Sequence, residues 1–179
     1  MNLRELSVGK NLPWDVNVFI EIPFGGGPVK YEIDKASGAL FVDRFLQTPM
    51  FYPTNYGFIP QTLAEDGDAL DAMVIGTIPV IAGSVIRSRP IGVLYMEDEA
   101  GMDEKLLMVP VDKLDPFYSN IKEYSDMPQI FCDQIVHFFE HYKDLEKNKW
   151  VKISHWGSAQ EAADLISKYY LKDESKVSA

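Results

Sequence analysis

Alternating apolar and polar residues in the first two-thirds of the chain constrain its fold more than any other feature. In the segment 16–22, every second position is valine or isoleucine. After Gly25-Gly26-Gly27-Pro28, Val29, Tyr31 and Ile33 alternate with Lys30 and Glu32. Side chains of a strand point to opposite faces in turn, so this period of two predicts half-buried strands.

Further strand-like segments follow along the chain. A loop rich in proline and aromatic residues, Thr48–Pro60, interrupts them. The predicted strands are Leu40–Phe45, Ala69–Ile75, Ser84–Met96 and Lys105–Val111. Short strands at this spacing, separated by Gly-, Pro- or acid-rich turns, predict a closed barrel rather than βαβ units.

The last third of the chain predicts two helices. Pro128 suits the first position of a helix that Asp126 caps. Its apolar stripe consists of Phe131, Ile135, Phe138, Tyr142 and Leu145, at spacings of four and three. Ser158-Ala159-Gln160-Glu161 fits a capping box that starts the second helix, and His155-Trp156-Gly157 is interpreted as the turn between the helices.

The length of 179 residues and the 46% of hydrophobic residues predict one globular domain over residues 1–179, with a polar, frayed tail at 172–179. The single cysteine, Cys132, excludes an internal disulfide. Met1–Glu5 lacks the apolar core of a signal peptide, and the longest uncharged stretch, Ala72–Ile86, is shorter than the ~20 residues of a membrane span. We therefore expect a cytoplasmic protein with no membrane partner.

Negative charge is concentrated in one part of the chain. The formal net charge is −10, and nine acidic but only two basic residues lie between Gln61 and Glu104. Such a chain repels nucleic acids. If its ligand is an anion, a cation must mediate the contact.

The acidic residues Asp66, Asp68 and Asp71 precede a strongly apolar run. Aspartates in loops often only form turns. Asp71, however, is expected at the rim of the core, where a desolvated carboxylate needs a counter-ion. Oxygen ligands of this kind suit Mg²⁺, although the spacing does not match an EF-hand.

Anion-binding side chains are expected beside these acids. Lys30 and Glu32 share one face of their strand, and Arg44 lies on the next strand. Lys143 follows Tyr142 on the predicted long helix, and Tyr52 and Tyr56 lie in the Pro-rich loop. Taken alone, each of these basic residues is better explained as a solvated surface charge, and the two tyrosines are equally explained by packing of their rings. No glycine-rich phosphate loop is present.

Taken in order, these residues resemble the family I soluble inorganic pyrophosphatases of bacteria, from about Leu6 to Tyr170. The resemblance rests on Glu21, Lys30-Tyr31-Glu32, Arg44, Tyr52–Gly57, Asp66–Asp71, Asp98–Gly101, Asp103, Lys105 and Tyr142-Lys143. Ala69 departs from the family, which usually has Pro or Glu there. The implied fold is mainly β with flanking helices: an OB-like five-stranded β-barrel with two C-terminal α-helices.

The resemblance also implies an activity, namely hydrolysis of inorganic diphosphate to two phosphates with several Mg²⁺ ions, for which Mn²⁺ or Zn²⁺ are possible substitutes. Asp68 would be the general base. Metal ligands would be Asp66, Asp71, Asp98, Asp103 and, through water, Glu32. Phosphoryl oxygens would bind Lys30, Arg44, Tyr56, Tyr142 and Lys143, with Glu21, Tyr52 and Lys105 in support. A homo-oligomer, a hexamer, is implied as well.

Two other functions fit parts of the sequence. His137-Phe138-Phe139-Glu140-His141 matches the HxxEH of zinc peptidases, for which Glu161 is the candidate third ligand. An OB-like fold rich in aromatic residues also suits a binder of single-stranded nucleic acid, although a positive groove is missing from the sequence.

Overall fold

The computed structural model describes residues 5–34 and 36–171, so the predicted tail at 172–179 lies outside the described residues. Within these ranges the chain forms nine strands and two α-helices. The strands are β1 Gly9–Asn11, β2 Asp15–Ile22, β3 Val29–Ile33, β4 Leu40–Phe45, β5 Asn55–Phe58, β6 Asp71–Val74, β7 Val85–Asp98, β8 Gly101–Pro110 and β9 Val151–Ser158. The helices are α1 Gln129–His141 and α2 Ala159–Tyr169.

Five of the strands close into a ring. Their order is β2-β5-β6-β8-β7, and β7 pairs again with β2. All neighbours are antiparallel except β6 and β8, which run parallel. This OB-like arrangement with two helices confirms the fold class that the sequence predicted.

The ring strands are buried on both faces, because each helix covers one of them. Met73 and Leu107 pack in the same cluster as Ile135 and Phe138 of α1. The residues next to these two on β6 and β8 pack in a second cluster with Ala162 and Ile166 of α2. They are Ala72, Val74, Leu106 and Met108. The alternation follows from the period of two in a strand. Apolar runs in the sequence therefore mark strands buried on both sides.

One glycine fixes how closely two ring strands approach. A Cβ atom on Gly57 of β5 would lie 1.8 Å from the carbonyl oxygen of Phe19 on β2. Gly57 pairs with Ile20 in the register of these strands. Only a residue without a side chain fits this position.

The hairpin β3–β4 forms a separate two-stranded sheet. Lys30 pairs with Arg44 across it. The side chain of Glu21 on β2 accepts a hydrogen bond of 2.7 Å from the backbone N–H of Ile33. This contact attaches the hairpin to the ring.

Two segments that were predicted to be a loop and a turn contain strands instead. The predicted loop Thr48–Pro60 contains β5, all four residues of which are buried. The predicted turn His155–Gly157 lies within β9, which pairs with β7, and His155 stacks on Tyr95 at 4.9 Å. Both segments form strands because tertiary pairing outweighs their weak local β pattern.

The first helix is shorter than predicted at both ends. Pro128 is the N-cap residue, and the helix begins at Gln129. Asp126 instead accepts hydrogen bonds from the backbone N–H groups of Lys122 and Glu123, as part of a short 3₁₀ turn. Leu145, placed on the apolar stripe, lies beyond the end of the helix and is exposed.

The start of the second helix was predicted correctly. Ser158 and Glu161 form the capping box, with each side chain accepting the other residue's backbone N–H. Among the described helices, none has the length and the apolar character needed to cross a membrane.

Candidate functional site

A pocket of about 440 Å³ opens where the ring, the hairpin and the end of α1 meet. All fourteen site residues that the family resemblance implies line it. They are Glu21, Lys30, Glu32, Arg44, Tyr52, Tyr56, Asp66, Asp68, Asp71, Asp98, Asp103, Lys105, Tyr142 and Lys143. The structure therefore brings together residues from β2 through to the segment after α1, while the individual roles stay predictions.

Parallel pairing of β6 and β8 builds the centre of the pocket. The register places Asp71, the first residue of β6, opposite Lys105 of β8. Asp103 lies two residues before Lys105 and therefore on the same face of β8. The ammonium of Lys105 forms ion pairs with both carboxylates, and its nitrogen is 2.6 Å from Asp103.

Asp66 and Asp68 reach the pocket from the loop between β5 and β6. Gly67 between them has a φ of +91°, in the region that favours glycine. The Asp66 carboxylate accepts the backbone N–H of Asp68 at 3.0 Å. This tight turn holds two exposed carboxylates just ahead of Asp71.

Asp98 ends β7, at the tight turn to β8. Its carboxylate accepts the backbone N–H of Ala100 at 2.8 Å and the ammonium of Lys143 at 2.7 Å. Burial alone would raise the pKa of Asp98, but the hydrogen bonds from Lys143 and Ala100 and the charge of Lys143 together outweigh it, so the pKa lies below its usual value. Lys143 had been predicted to lie on α1, but it lies two residues past the end of the helix.

The hairpin β3–β4 supplies the opposite wall. Lys30 and Glu32 lie on the same face of β3, as predicted, and form an ion pair. Lys30 also lies 3.5 Å from Asp43, which accepts from the Arg44 guanidinium at 2.9 Å. Lys30 and Arg44 are thus both held by carboxylates of this chain.

Three buried tyrosines complete the lining. Tyr52, Tyr56 and Tyr142 are each less than 8% exposed, and burial raises the pKa of each phenol. The hydroxyls therefore stay protonated near neutral pH and remain able to donate hydrogen bonds. The Lys105 ammonium lies 5.7 Å from the centre of the Tyr56 ring.

The charges at the pocket centre perturb one another. Burial alone would lower the pKa of Lys105, but the charges of Asp71 and its other neighbours outweigh it, so Lys105 stays charged. Burial raises the pKa of Asp103, and the charges of Asp71 and Asp98 raise it further, against the opposing effect of Lys105. Negative charge at this point is therefore only partly neutralised by the protein.

Glu21 lies behind this centre and is 8% exposed. Burial raises its pKa from 4.5 to about 7, against the lowering effect of the Ile33 hydrogen bond and with a further increase from Asp71 and Glu32. Burial of an acid raises its pKa because the charged form loses hydration.

The donor chemistry of the pocket suits hard divalent cations. Asp66, Asp71, Asp98, Asp103 and Glu32 offer oxygen ligands, and no described lining residue is a histidine or cysteine. Across residues 5–34 and 36–171, no three His, Cys, Asp or Glu side chains already lie in an arrangement that could hold a metal ion. At the centre the Lys105 ammonium forms ion pairs with both Asp71 and Asp103. The candidate ligands are all negatively charged oxygen donors, which is the kind of ligand that Mg²⁺ prefers.

Sequence reasoning missed three charged residues at the site. Glu99 and Lys149 line the pocket and form an ion pair with each other. Glu146 lies behind Arg44 and accepts a hydrogen bond from it at 3.2 Å. Glu99 is one of the nine acidic residues counted between Gln61 and Glu104, but Glu146 and Lys149 stand in a mixed-charge segment with no comparable signal.

The zinc peptidase alternative gains no support. His137 and His141 are neighbours on α1, and His141 pairs with Asp144 at 2.8 Å. Glu161, the candidate third ligand, belongs instead to the capping box of α2. In the described part of the chain these histidines join no group of three metal-binding side chains.

An OB-like ring with a pocket rich in carboxylates and cationic groups defines the class as a protein that binds a charged ligand, with oxygen donors that suit divalent cations. Comparison with known proteins agrees. The sequence profile described as inorganic pyrophosphatase matches residues 18–172. The chain therefore belongs to the inorganic pyrophosphatase family, whose family I members depend on metal ions.

Similar proteins cover nearly the whole chain. An inorganic pyrophosphatase of Caulobacter vibrioides is 62% identical over 93% of this chain and 94% of its own length. A solved inorganic pyrophosphatase of Coxiella burnetii matches with a TM-score of 0.88 and 50% identity over 91% of this chain and 96% of that one. For a Helicobacter pylori inorganic pyrophosphatase, the TM-score is 0.88 and the identity 47%, over 92% of this chain and 96% of that one.

Proposed function

We propose that this protein hydrolyses inorganic diphosphate to two phosphates in the pocket, with Mg²⁺ as the divalent cation and with Asp68 as the general base. Membership of the inorganic pyrophosphatase family supports the reaction. The observation that supports the assignment of residues is that the fourteen side chains implied by the family resemblance line one pocket.

The charge balance of the pocket supports a role for cations. Among the described residues, eight carboxylates and five cationic side chains line it. The protein alone therefore presents excess negative charge, which repels a diphosphate anion. Asp66, Asp71, Asp98 and Asp103, and Glu32 through water, would hold divalent cations, which would lower the pKa of water and offset the negative charge of the substrate.

Asp68 is suited to accept the proton of the attacking water. It is exposed to solvent at the pocket and lies between Asp66 and Asp71 in the sequence. A carboxylate in this role contributes typically ~10²–10⁴-fold to the rate. Its neighbours on both sides would hold cations, so the base and the water it serves would share one edge of the pocket.

The cationic and phenolic groups on the opposite walls would bind phosphoryl oxygens. Lys30 and Arg44 come from the hairpin, and Tyr142 and Lys143 from the segment after α1. Tyr56 would donate its hydroxyl from β5. Fixed donors of this kind stabilise charge on the leaving phosphate without reorganising during the reaction.

Three residues would support these groups. Glu21 holds the hairpin through Ile33, and Lys105 keeps Asp71 and Asp103 on one side of the pocket. Tyr52 packs on Tyr56 at 5.2 Å between ring centres and fixes its orientation.

Release of phosphate from diphosphate tests the proposal. Purified protein is assayed with Mg²⁺, with Mn²⁺ or Zn²⁺, and with EDTA. We expect hydrolysis with Mg²⁺ and its loss in EDTA. No phosphate release with any of the three cations would refute the function, whereas activity that survives EDTA would refute the role of the metal.

We also propose that the protein is a cytoplasmic homo-oligomer, a hexamer, that binds neither membranes nor nucleic acid. Large apolar side chains that are more than half exposed support association, among them Phe41, Phe45 and Ile81. The net charge of −10 disfavours nucleic acid. Light scattering coupled to size exclusion gives the oligomer size, and a monomeric mass would contradict the proposal.

A further inference from the structure

The segment 142–150 between α1 and β9, called here the α1–β9 connection, carries more of the site than its sequence indicates. Lys143 and Lys149 both reach the pocket from it. Its backbone is folded into consecutive turns. The backbone N–H of Asp144 donates to the carbonyl oxygen of His141 at 3.1 Å, and the N–H of Glu146 donates to the carbonyl oxygen of Lys143 at 2.8 Å. The position of Glu146 is thereby tied to that of Lys143.

Glu146 differs from its neighbour Asp144 in burial and in partner. The side chain of Glu146 is 10% exposed, and its Oε1 accepts from Arg44 Nε at 3.2 Å. The side chain of Asp144 is 54% exposed and pairs with His141. A buried carboxylate with a cationic partner is costly to separate from it, because the remaining charge is left uncompensated.

Contact at Nε constrains Arg44 more than a contact at a terminal nitrogen does. A guanidinium is planar, so fixing Nε and one terminal nitrogen fixes the direction of the whole group. In Arg44, Glu146 holds Nε and Asp43 accepts from Nη1 at 2.9 Å. The guanidinium is thus held between its own strand and a segment about one hundred residues further along the chain.

We propose that Glu146 is a positioning residue for Arg44: it aims the guanidinium into the pocket and sets its distance from Lys143. The proposal rests on the proposed function, in which Arg44 and Lys143 bind phosphoryl oxygens. Glu146 does not line the pocket among the described residues, so it acts through Arg44 and not on the substrate.

A double-mutant cycle tests the proposal by diphosphate hydrolysis with Mg²⁺. Glu146→Gln removes the negative charge that pairs with the guanidinium and so weakens the contact at Nε. We expect it to lower kcat/KM about tenfold in the wild-type background, since misplaced binding groups cost about this much or more. In an Arg44→Gln background, which is itself less active, the same change should alter kcat/KM by less than about twofold. Thermal melting of all four proteins establishes that each is folded.

Glu140→Gln is the matched control, because Glu140 is an exposed carboxylate on α1 and the substitution changes the charge equally. Its kcat/KM should stay within about twofold of wild type. An equal loss in both Arg44 backgrounds would show a merely structural role for Glu146 and overturn the proposal. So would an unchanged or raised kcat/KM for Glu146→Gln, or an equal loss for Glu140→Gln. If the wild type is active and any of these outcomes is found, only the positioning role of Glu146 is refuted and the proposed function stands. An inactive wild type refutes the proposed function itself.

Discussion

Replacing Glu21 with glutamine separates two properties of this buried side chain, its charge and its capacity to accept a hydrogen bond. Glu21 accepts the backbone N–H of Ile33 and so holds the hairpin that carries Lys30 and Glu32. A glutamine carbonyl oxygen can accept the same bond. The Glu21→Gln variant should therefore keep the hairpin in place while losing the titration.

The pH dependence of the difference follows from the raised pKa. Between pH 4.5 and about 7, folded Glu21 binds more protons than unfolded Glu21, so the free energy of unfolding of the wild type falls as pH rises. With 1.36 kcal/mol for each pKa unit, the cost of ionising Glu21 in the fold reaches roughly 3 kcal/mol above pH 8. Below pH 4.5 the cost disappears. Glu21→Gln should gain roughly 3 kcal/mol relative to wild type between these limits.

Urea denaturation in EDTA at pH 4.5 and pH 8, at one protein concentration, measures this change. The quantity compared is the difference in the free energy of unfolding between Glu21→Gln and wild type at each pH. Any penalty from the new amide group is independent of pH and therefore cancels between the two pH values. Glu140→Gln, an exposed substitution, should differ from wild type by less than about 1 kcal/mol at both pH values. If the Glu21→Gln difference is the same at pH 4.5 and pH 8, burial does not perturb this carboxyl as argued.

Three further substitutions test the site and the fold. Asp68→Asn should lower kcat by ~10²–10⁴-fold while metal binding and melting temperature persist, and wild-type turnover would exclude Asp68 as the base. Asp71→Asn should raise the Mg²⁺ concentration needed for half-maximal activity, and an unchanged Mg²⁺ dependence would contradict its role as a ligand. Gly57→Ala should yield little folded protein, because the new Cβ would meet the Phe19 carbonyl oxygen at 1.8 Å. A wild-type melting temperature for Gly57→Ala would show that β5 and β2 can separate at no cost.

Four of the five ring strands, β2, β6, β7 and β8, were predicted from the sequence because they carry their own pattern. Those buried on both faces are strongly apolar, and the turns between them contain glycine, proline or aspartate. β5 and β9 lack this pattern. Asn55–Phe58 is buried by pairing with β2 and β6, and Val151–Ser158 is extended because it pairs with β7. Their conformation is decided by partners distant in the sequence, which local periodicity does not report.

The same distinction divides the site. Asp66, Asp68 and Asp71 form a dense acidic motif, so their shared location is visible before folding. The role of Glu146 depends on its contact with Arg44, which lies 102 residues away in the sequence, and that of Lys149 on its contact with Glu99, 50 residues away. The aspartates proposed to contact metal form such a local pattern, whereas Lys30, Arg44 and Lys143 were assigned to the site only through the resemblance over the whole chain. Groups that position them need only one suitable charge at the right point of the fold, and a connection of mixed charge such as 142–150 supplies it without any motif.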